Sequence, residues 1–193
     1  AVTTRARPRR RRGGPLTSAR PGTLPPVGHS LRFSTIAHKG RRILGPMSSE
    51  RLAGLADRLV LERGDVAVDL GCGKGAFLIE LMARWPDASG EGFDRNSWFL
   101  ADARAAAKAA GAAIAGRISF LETDAPGALI VDRGVAVAIA MGATGIFDGD
   151  QATTVAALAT ATRPGGIVLF ADGFWQLEPP VAELAAFGMT RDE

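Results

Sequence analysis

The sequence predicts an α/β fold: a doubly wound, mostly parallel sheet with helices on both faces. Three observations predict it. From residue 65 onward, short apolar runs alternate with helix-periodic stretches. One run, Val66-Ala67-Val68-Asp69-Leu70, enters the glycine-rich turn Gly71-Cys72-Gly73-Lys74-Gly75, and the helix-like stretch Ala76–Met82 follows. The next run, residues 89–94, ends in a second acid, Asp94, 19 positions after Gly75. Parallel strands need crossovers, so strands alternating with helices point to a sheet covered on both sides.

Residues 1–28 are rich in Arg, Pro, Gly, Ser and Thr and poor in large apolar side chains. They bury too little surface to offset ordering entropy, so a disordered Arg/Pro-rich tail is expected. The run Arg9–Arg12 offers a contact for nucleic acid or anionic lipid, but it lacks interleaved aromatics, and a solvated tail is the plainer reading. Gly13-Gly14-Pro15 follows the arginines where a secretory signal needs an apolar stretch. The chain starts at Ala1 and its first Met is Met47, so the tail need not be the natural start of the protein. Residues 29–63 read as an N-terminal cover segment and a helix. Leu31, Phe33, Ile36, His38, Ile43, Leu44 and Pro46 are expected to pack on the domain. Ser48 or Ser49 caps a helix over about 49–61 that carries Leu52, Leu55 and Leu59 on one face.

The remaining span, 64–193, is read as one domain. Its predicted elements are strand 65–70, helix 74–84, strand 89–94, helix 97–111, strand 117–121, strand 134–140, helix 150–162 and strand 166–171. Residues 105–115 are Ala-rich and read as helix.

Composition narrows the function classes. At 193 residues, 47% of them hydrophobic, the chain suits one domain with a sizeable core. No apolar run approaches bilayer-spanning length, so no membrane partner is expected. The single Cys72 permits a reducing compartment, and a cytoplasmic location is expected. Two His and one Cys are too few for a zinc site, so no metal is expected. Residues 1–42 carry eleven Lys and Arg and no acid; against a chain total of +3, this leaves the rest at −8. The high isoelectric point belongs to the tail, and the domain is acidic.

The glycine turn is where chemistry is expected. Bare backbone at a strand-to-helix turn lets a ligand lie against it. A carboxylate at the end of the second strand accepts two hydroxyl donors at once, which suits a cis-diol. The dinucleotide fingerprint spaces its glycines G-x-G-x-x-G, whereas this turn reads G-x-G-x-G with Asp69 two residues ahead. Cys72 is read as a small residue fitting a crowded turn rather than as a nucleophile.

This pattern resembles motif I of the class I S-adenosylmethionine (SAM)-dependent methyltransferases, whose fold is Rossmann-like. Arg163-Pro164-Gly165-Gly166-Ile167-Val168-Leu169-Phe170 is similar to the turn that precedes their fifth strand. A looser likeness to small bacterial-type methyltransferases rests on Phe33-Ser34-Thr35-Ile36-Ala37-His38 and Gly173-Phe174-Trp175. The resemblance implies SAM as cofactor, held by Asp69, Gly71, Cys72, Gly73 and Gly75 around the turn. It puts Asp94 on the ribose, Asp124 and the backbone of Ala125 on the adenine edge, and Met141 in the loop over the methionine moiety. It also implies an unidentified, small-molecule methyl acceptor.

His38 is the candidate base, while Asp172 and Trp175, just past the fifth strand, are candidates for the acceptor pocket. Two departures stand out. The loop Gly142-Ala143-Thr144 continues with Gly145 where such enzymes often have His. The C-terminal hairpin, strands six and seven of the full fold, is not accounted for, so an exposed fifth strand and self-association through it are expected. Two rival readings remain: a non-catalytic or nucleic-acid-binding module of the same fold, and an NAD(P)-dependent oxidoreductase. Titration with SAM against NAD separates the second, and an RNA shift lost on deleting residues 1–28 supports the first.

Overall fold

The computed structural model describes residues 29–123, 133–143, 146, 150–173, 180 and 181. The expectations for residues 1–28, Asp124, Ala125 and Trp175 lie outside the described residues. In chain order the elements are α1 (His29–Ala37), α2 (Ser49–Ala56), β1 (Val66–Leu70), α3 (Ala76–Arg84), β2 (Ser89–Asp94) and α4 (Ser97–Ala110). They continue as α5 (Ala112–Ala115), β3 (Ile118–Glu122), β4 (Val135–Met141), α6 (Gln151–Ala161) and β5 (Thr162–Ala171).

The five strands form one sheet in the order β3-β2-β1-β4-β5, and every pairing is parallel. β1 is central: Leu70 is level with Phe93 on one side and Ala140 on the other. The chain winds outward from β1 to β3, then returns to β4 on its other side. This reversal puts a crevice at the carboxyl ends of β1 and β4, where open α/β sheets take ligands.

Alternation along the strands builds two cores. Ala67, Val137 and Ile139 face the side packed by α2, α3 and α4, with Leu52, Phe77, Leu78, Leu81 and Leu100 buried there. Val68, Leu70, Ala138 and Ala140 face the other side with Phe93, Leu158 and Ala161, under α6. Strands buried on both faces read as continuous apolar runs, which is how β4 looks in the sequence.

Caps fix the helix starts. Ser48, Asn96 and Asp150 accept backbone N–H groups at the starts of α2, α4 and α6. Arg117 joins several elements at the opposite end of the sheet. Its guanidinium donates to the carbonyls of Met82, Trp85, Ala88 and Ala113.

The predicted strands and helices of the domain are all present, with ends moved by a few residues. α2 is shorter than expected, ending at Ala56, though Leu59 beyond it is still buried. β5 begins at Thr162, because a register shift between Val135 and Val137 of β4 lets the Arg163–Gly166 turn run on as strand. The cover segment corrects two expectations. Residues 29–37 form a helix, and Phe33 and Ile36 point outward at 69% and 62% exposure instead of packing. The inward face of α1 is Leu31, Ser34, Thr35 and then His38, spaced at three and four residues, with Thr35 tied to Asn96.

Candidate functional site

Three positive-φ glycines shape the turn after β1: Gly71 at +70°, Gly73 at +54° and Gly75 at +69°. Each φ lies in the left-handed region that side chains disfavour. Their surroundings differ. A Cβ at Gly75 would strike the Phe120 ring at 2.6 Å, so this glycine serves the packing of α3 on the sheet. A Cβ at Gly71 would meet the Ala143 Cβ at 2.6 Å, which makes it a close crossing with the loop after β4. At Gly73 only the end of the Leu44 side chain lies near, at 2.6 Å from such a Cβ. Gly73 is thus the glycine whose open face is covered by a flexible side chain rather than by the domain.

Asp94 ends β2 beside this turn. Its Oδ2 accepts the Gly73 N–H at 2.8 Å and its Oδ1 accepts the Asn96 N–H at 2.8 Å. One carboxylate therefore fixes both the glycine turn and the start of α4, and each oxygen keeps a second lone pair for a ligand. Burial raises its pKa, while the bonds from Asn96 and Gly73 pull it back down.

Asp69 sits lower, at 3% exposure. Burial, and then the neighbouring Asp94 charge, push its pKa up to about 8, so it is mostly protonated near neutral pH. The Cys72 thiol is buried and packs beneath Gly92, where a Cβ would lie 2.7 Å from Sγ. Burial pushes its pKa well up, and the acids Asp69 and Asp94 push it further, so it is a poor nucleophile.

Two hollows meet over this turn, and Gly71, Gly73, Leu44 and Met141 border both. The first, about 350 Å³, runs along the ends of β2 and β3 and takes in Asp94, Asn96 and Thr123. His38 lines it from above. The second, about 430 Å³, takes in Asp69 and Cys72 and runs to Ala171 and Asp172 at the end of β5. The structure thus brings Asp94 and His38 to one hollow and Asp69, Cys72 and Asp172 to the other. Met141 borders both. Gly75, expected among the cofactor-binding residues, borders neither hollow and lies against the Phe120 ring. His38 and Asp172, both expected on the acceptor side, are parted by the glycine turn.

Two side chains unremarked in the sequence hold the cover in place. Lys74, only 8% exposed, donates to the His38 carbonyl at 3.0 Å and pairs with Asp102 at 2.9 Å. It also lies 5.8 Å from the centre of the Phe99 ring. Asn96, at 1% exposure, caps α4 and donates from Nδ2 to the Thr35 hydroxyl at 2.9 Å. The position of Asn96, just before a helix, was a legible capping signal; its reach to Thr35, 61 residues away, was not. The His38 ring donates from Nδ1 to the Ser34 carbonyl at 2.9 Å and stands edge-on to Phe99. A carbonyl only accepts, so the neutral ring carries its proton on Nδ1 and its lone pair on Nε2.

Comparison with known proteins agrees with this geometry. A family model described as a methyltransferase domain matches residues 67–166. The Escherichia coli protein YjhP is 34% identical over 154 residues, which are 80% of this chain and 60% of YjhP. Crystal structures of SAM-dependent methyltransferases from Geobacter sulfurreducens and Thiobacillus denitrificans, each in complex with S-adenosyl-L-homocysteine, superpose with TM-scores of 0.71 and 0.70. Their identities are 35% and 34%, over 80% of this chain and 60% of each of theirs. The chain spans about three fifths of the length of these relatives. The match covers the glycine turn, both acids, the fourth strand and the start of the fifth, and on that ground the chain belongs to the class I SAM-dependent methyltransferase family.

Proposed function

We propose that this chain is the cofactor-binding part of a methyltransferase that moves a methyl group from SAM to a small-molecule acceptor. The observation that carries this reading is Asp94, which holds the Gly73 amide while bordering the first hollow. The cradle fits the cofactor. Gly73 is roofed only by the end of Leu44, and both hollows fall within the usual size of small-ligand sites. Asp94 takes the ribose hydroxyls on its remaining lone pairs. Thr123 borders the adenine end, and Asp69, Gly71 and Met141 the methionine end. Leu44 must swing aside, which a flexible side chain does cheaply.

When bound, SAM supplies an electrophilic methyl group on a sulfonium. That methyl group would pass to a lone pair of the acceptor, with the carbon–sulfur electron pair left on sulfur and any acceptor proton lost to water. The protein's part is to hold the acceptor in line and to exclude solvent. The cover supplies the wall: α1 and residues 38–47 close over the crevice through Lys74 and Asn96. His38 lines the Asp94 hollow, so we read it as a wall of the cofactor half rather than as the base. The buried thiol of Cys72 suits a reducing, cytoplasmic setting. No helix among the described residues is long and apolar enough to cross a membrane. Half-exposed β5, with Ile167 at its surface, supports association through that edge, which light scattering tests.

Isothermal titration with SAM, S-adenosylhomocysteine and NAD tests the reading. SAM and S-adenosylhomocysteine are expected to bind and NAD to leave no heat. Binding of NAD in their place overturns it.

A further inference from the structure

The helix that roofs the first hollow is lightly seated. α1 is nine residues long. A helix that short is marginal in water, so it keeps its shape by docking. Yet its docking buries little. Leu31, Ser34 and Thr35 are half-buried, and Arg32, Phe33, Ile36 and Ala37 are exposed. Elements with so few buried apolar contacts open at low free energy.

Among the described residues, the side-chain hydrogen bond that ties α1 to the domain runs from Asn96 Nδ2 to the Thr35 hydroxyl, at 2.9 Å. That hydroxyl donates in turn to the Leu31 carbonyl at 2.8 Å. Asn96 is itself fixed on the domain: its Oδ1 accepts the Trp98 and Phe99 N–H groups, and its own N–H goes to Asp94. The other oxygen of Asp94 takes the Gly73 N–H. One line of bonds thus runs from the glycine turn through Asp94 and Asn96 to the middle of α1. The first hollow lies along that line. Gly73, Asp94 and Asn96 border it from the domain, and Leu31, Ser34 and His38 from the cover. Thr35 does not border it. A ligand on Asp94 that also meets Leu31 and Ser34 makes those contacts only while α1 is docked, so it favours the docked form.

We propose that Asn96 is a positioning residue for the cofactor site: through Thr35 it couples occupancy of the Asp94 hollow to docking of α1, which clasps the bound cofactor and opens more readily without it. That the occupant is SAM or S-adenosylhomocysteine rests on the methyltransferase reading; the link between hollow and helix rests on the bonds.

The test follows amide exchange over residues 32–37 in the whole chain, with and without saturating S-adenosylhomocysteine. The ligand should slow exchange there by about fivefold or more, the usual range for coupled sites. Thr35→Val removes the hydroxyl at a residue that does not border the hollow. It should cut the slowing to about twofold or less and raise the ligand's dissociation rate about threefold to tenfold, the worth of one hydrogen bond. The thermal midpoint of the free protein should hardly move, since α1 buries so little. Thr35→Ser keeps the hydroxyl and should behave as the parent. Asn96→Ser, which still caps α4, should match Thr35→Val, and the double variant should be no worse than either, because both break the same bond. S-adenosylhomocysteine that binds with heat but leaves α1 exchange unchanged overturns the coupling alone. So does a Thr35→Ser variant as impaired as Thr35→Val, since the hydroxyl would then be irrelevant. S-adenosylhomocysteine that gives no heat overturns the cofactor reading, and the coupling falls with it.

Discussion

The floor and the roof of the crevice are built differently. The floor is β1, the glycine turn and the end of β2, held by neighbours in one parallel sheet and by Asp94 on the Gly73 amide. The roof is α1 and residues 38–47, held through side chains: Thr35 on Asn96, the His38 carbonyl on Lys74, and Leu44 on Gly73. Floor contacts repeat down a ladder, so loss of one leaves the rest in register. Roof contacts are single and far apart in sequence, so each is a point at which the cover can lift. On the proposed function, the cofactor is held by the floor, and the roof sets how the crevice is reached.

The contrast is broken most severely at Gly73. Gly73→Val puts a branched side chain at a φ of +54° and fills the open face of the turn. SAM affinity should fall on the order of 100-fold or more, about 2.7 kcal/mol, by calorimetry. Because only Leu44 stands in the way, the variant should still fold, as circular dichroism would show; retained affinity in a folded variant would refute the floor assignment.

Next comes Asp94→Ala, which removes the acceptor from two backbone amides and from the ligand. Binding should weaken by about 2–3 kcal/mol, with a lowered thermal midpoint, since hydrogen bonds to charged groups are lost. A change in stability alone would mean that Asp94 serves the turn and not the ligand.

Asp69 gives a pH signature. Its folded pKa is about 8, against an ordinary 3.8. The folded state therefore binds the proton more tightly. The stability this contributes is complete below about pH 3.8 and is lost as pH rises through about 8. Asp69→Asn carries no such proton, so it should melt above the parent protein at pH 8, by about 1–2 kcal/mol, with the gap closing toward pH 4. Parallel melting curves at all pH values would show that Asp69 is solvated.

On the roof, Lys74→Met removes the bond to the His38 carbonyl and the pair to Asp102. Exchange of the amides over residues 39–47 should quicken, and SAM dissociation should rise about threefold to tenfold, roughly the worth of one such bond. Unchanged exchange would show that the roof is held elsewhere. The smallest effect is expected from Cys72→Ala, where a buried, protonated thiol is removed beside Gly92. Binding should change by less than about twofold, since the side chain offers a ligand no charge.

The same division governs what the sequence revealed. The floor was legible because its signals are local. An apolar run followed by an acid and three alternating glycines can be one thing when a helix period follows at once. The packing around Gly75 was not legible, because the ring that excludes a side chain there, Phe120, comes from β3, 45 residues on. The roof was nearly illegible. Leu31, Thr35 and His38 have helical spacing, but Phe33 and Ile36 interrupt it with apolar residues that face outward, so no clean stripe marks α1.

Arg117 has a consequence for how this sequence can drift. Four carbonyls from two helices and a turn converge on its single guanidinium, and all lie at the end of the sheet away from the crevice. A lysine offers its donors from a single nitrogen and an alanine offers none, so neither spans the carbonyls that the guanidinium fork reaches. Any replacement of Arg117 therefore loosens α3, the turn after it and α5 together, at a point far from the crevice.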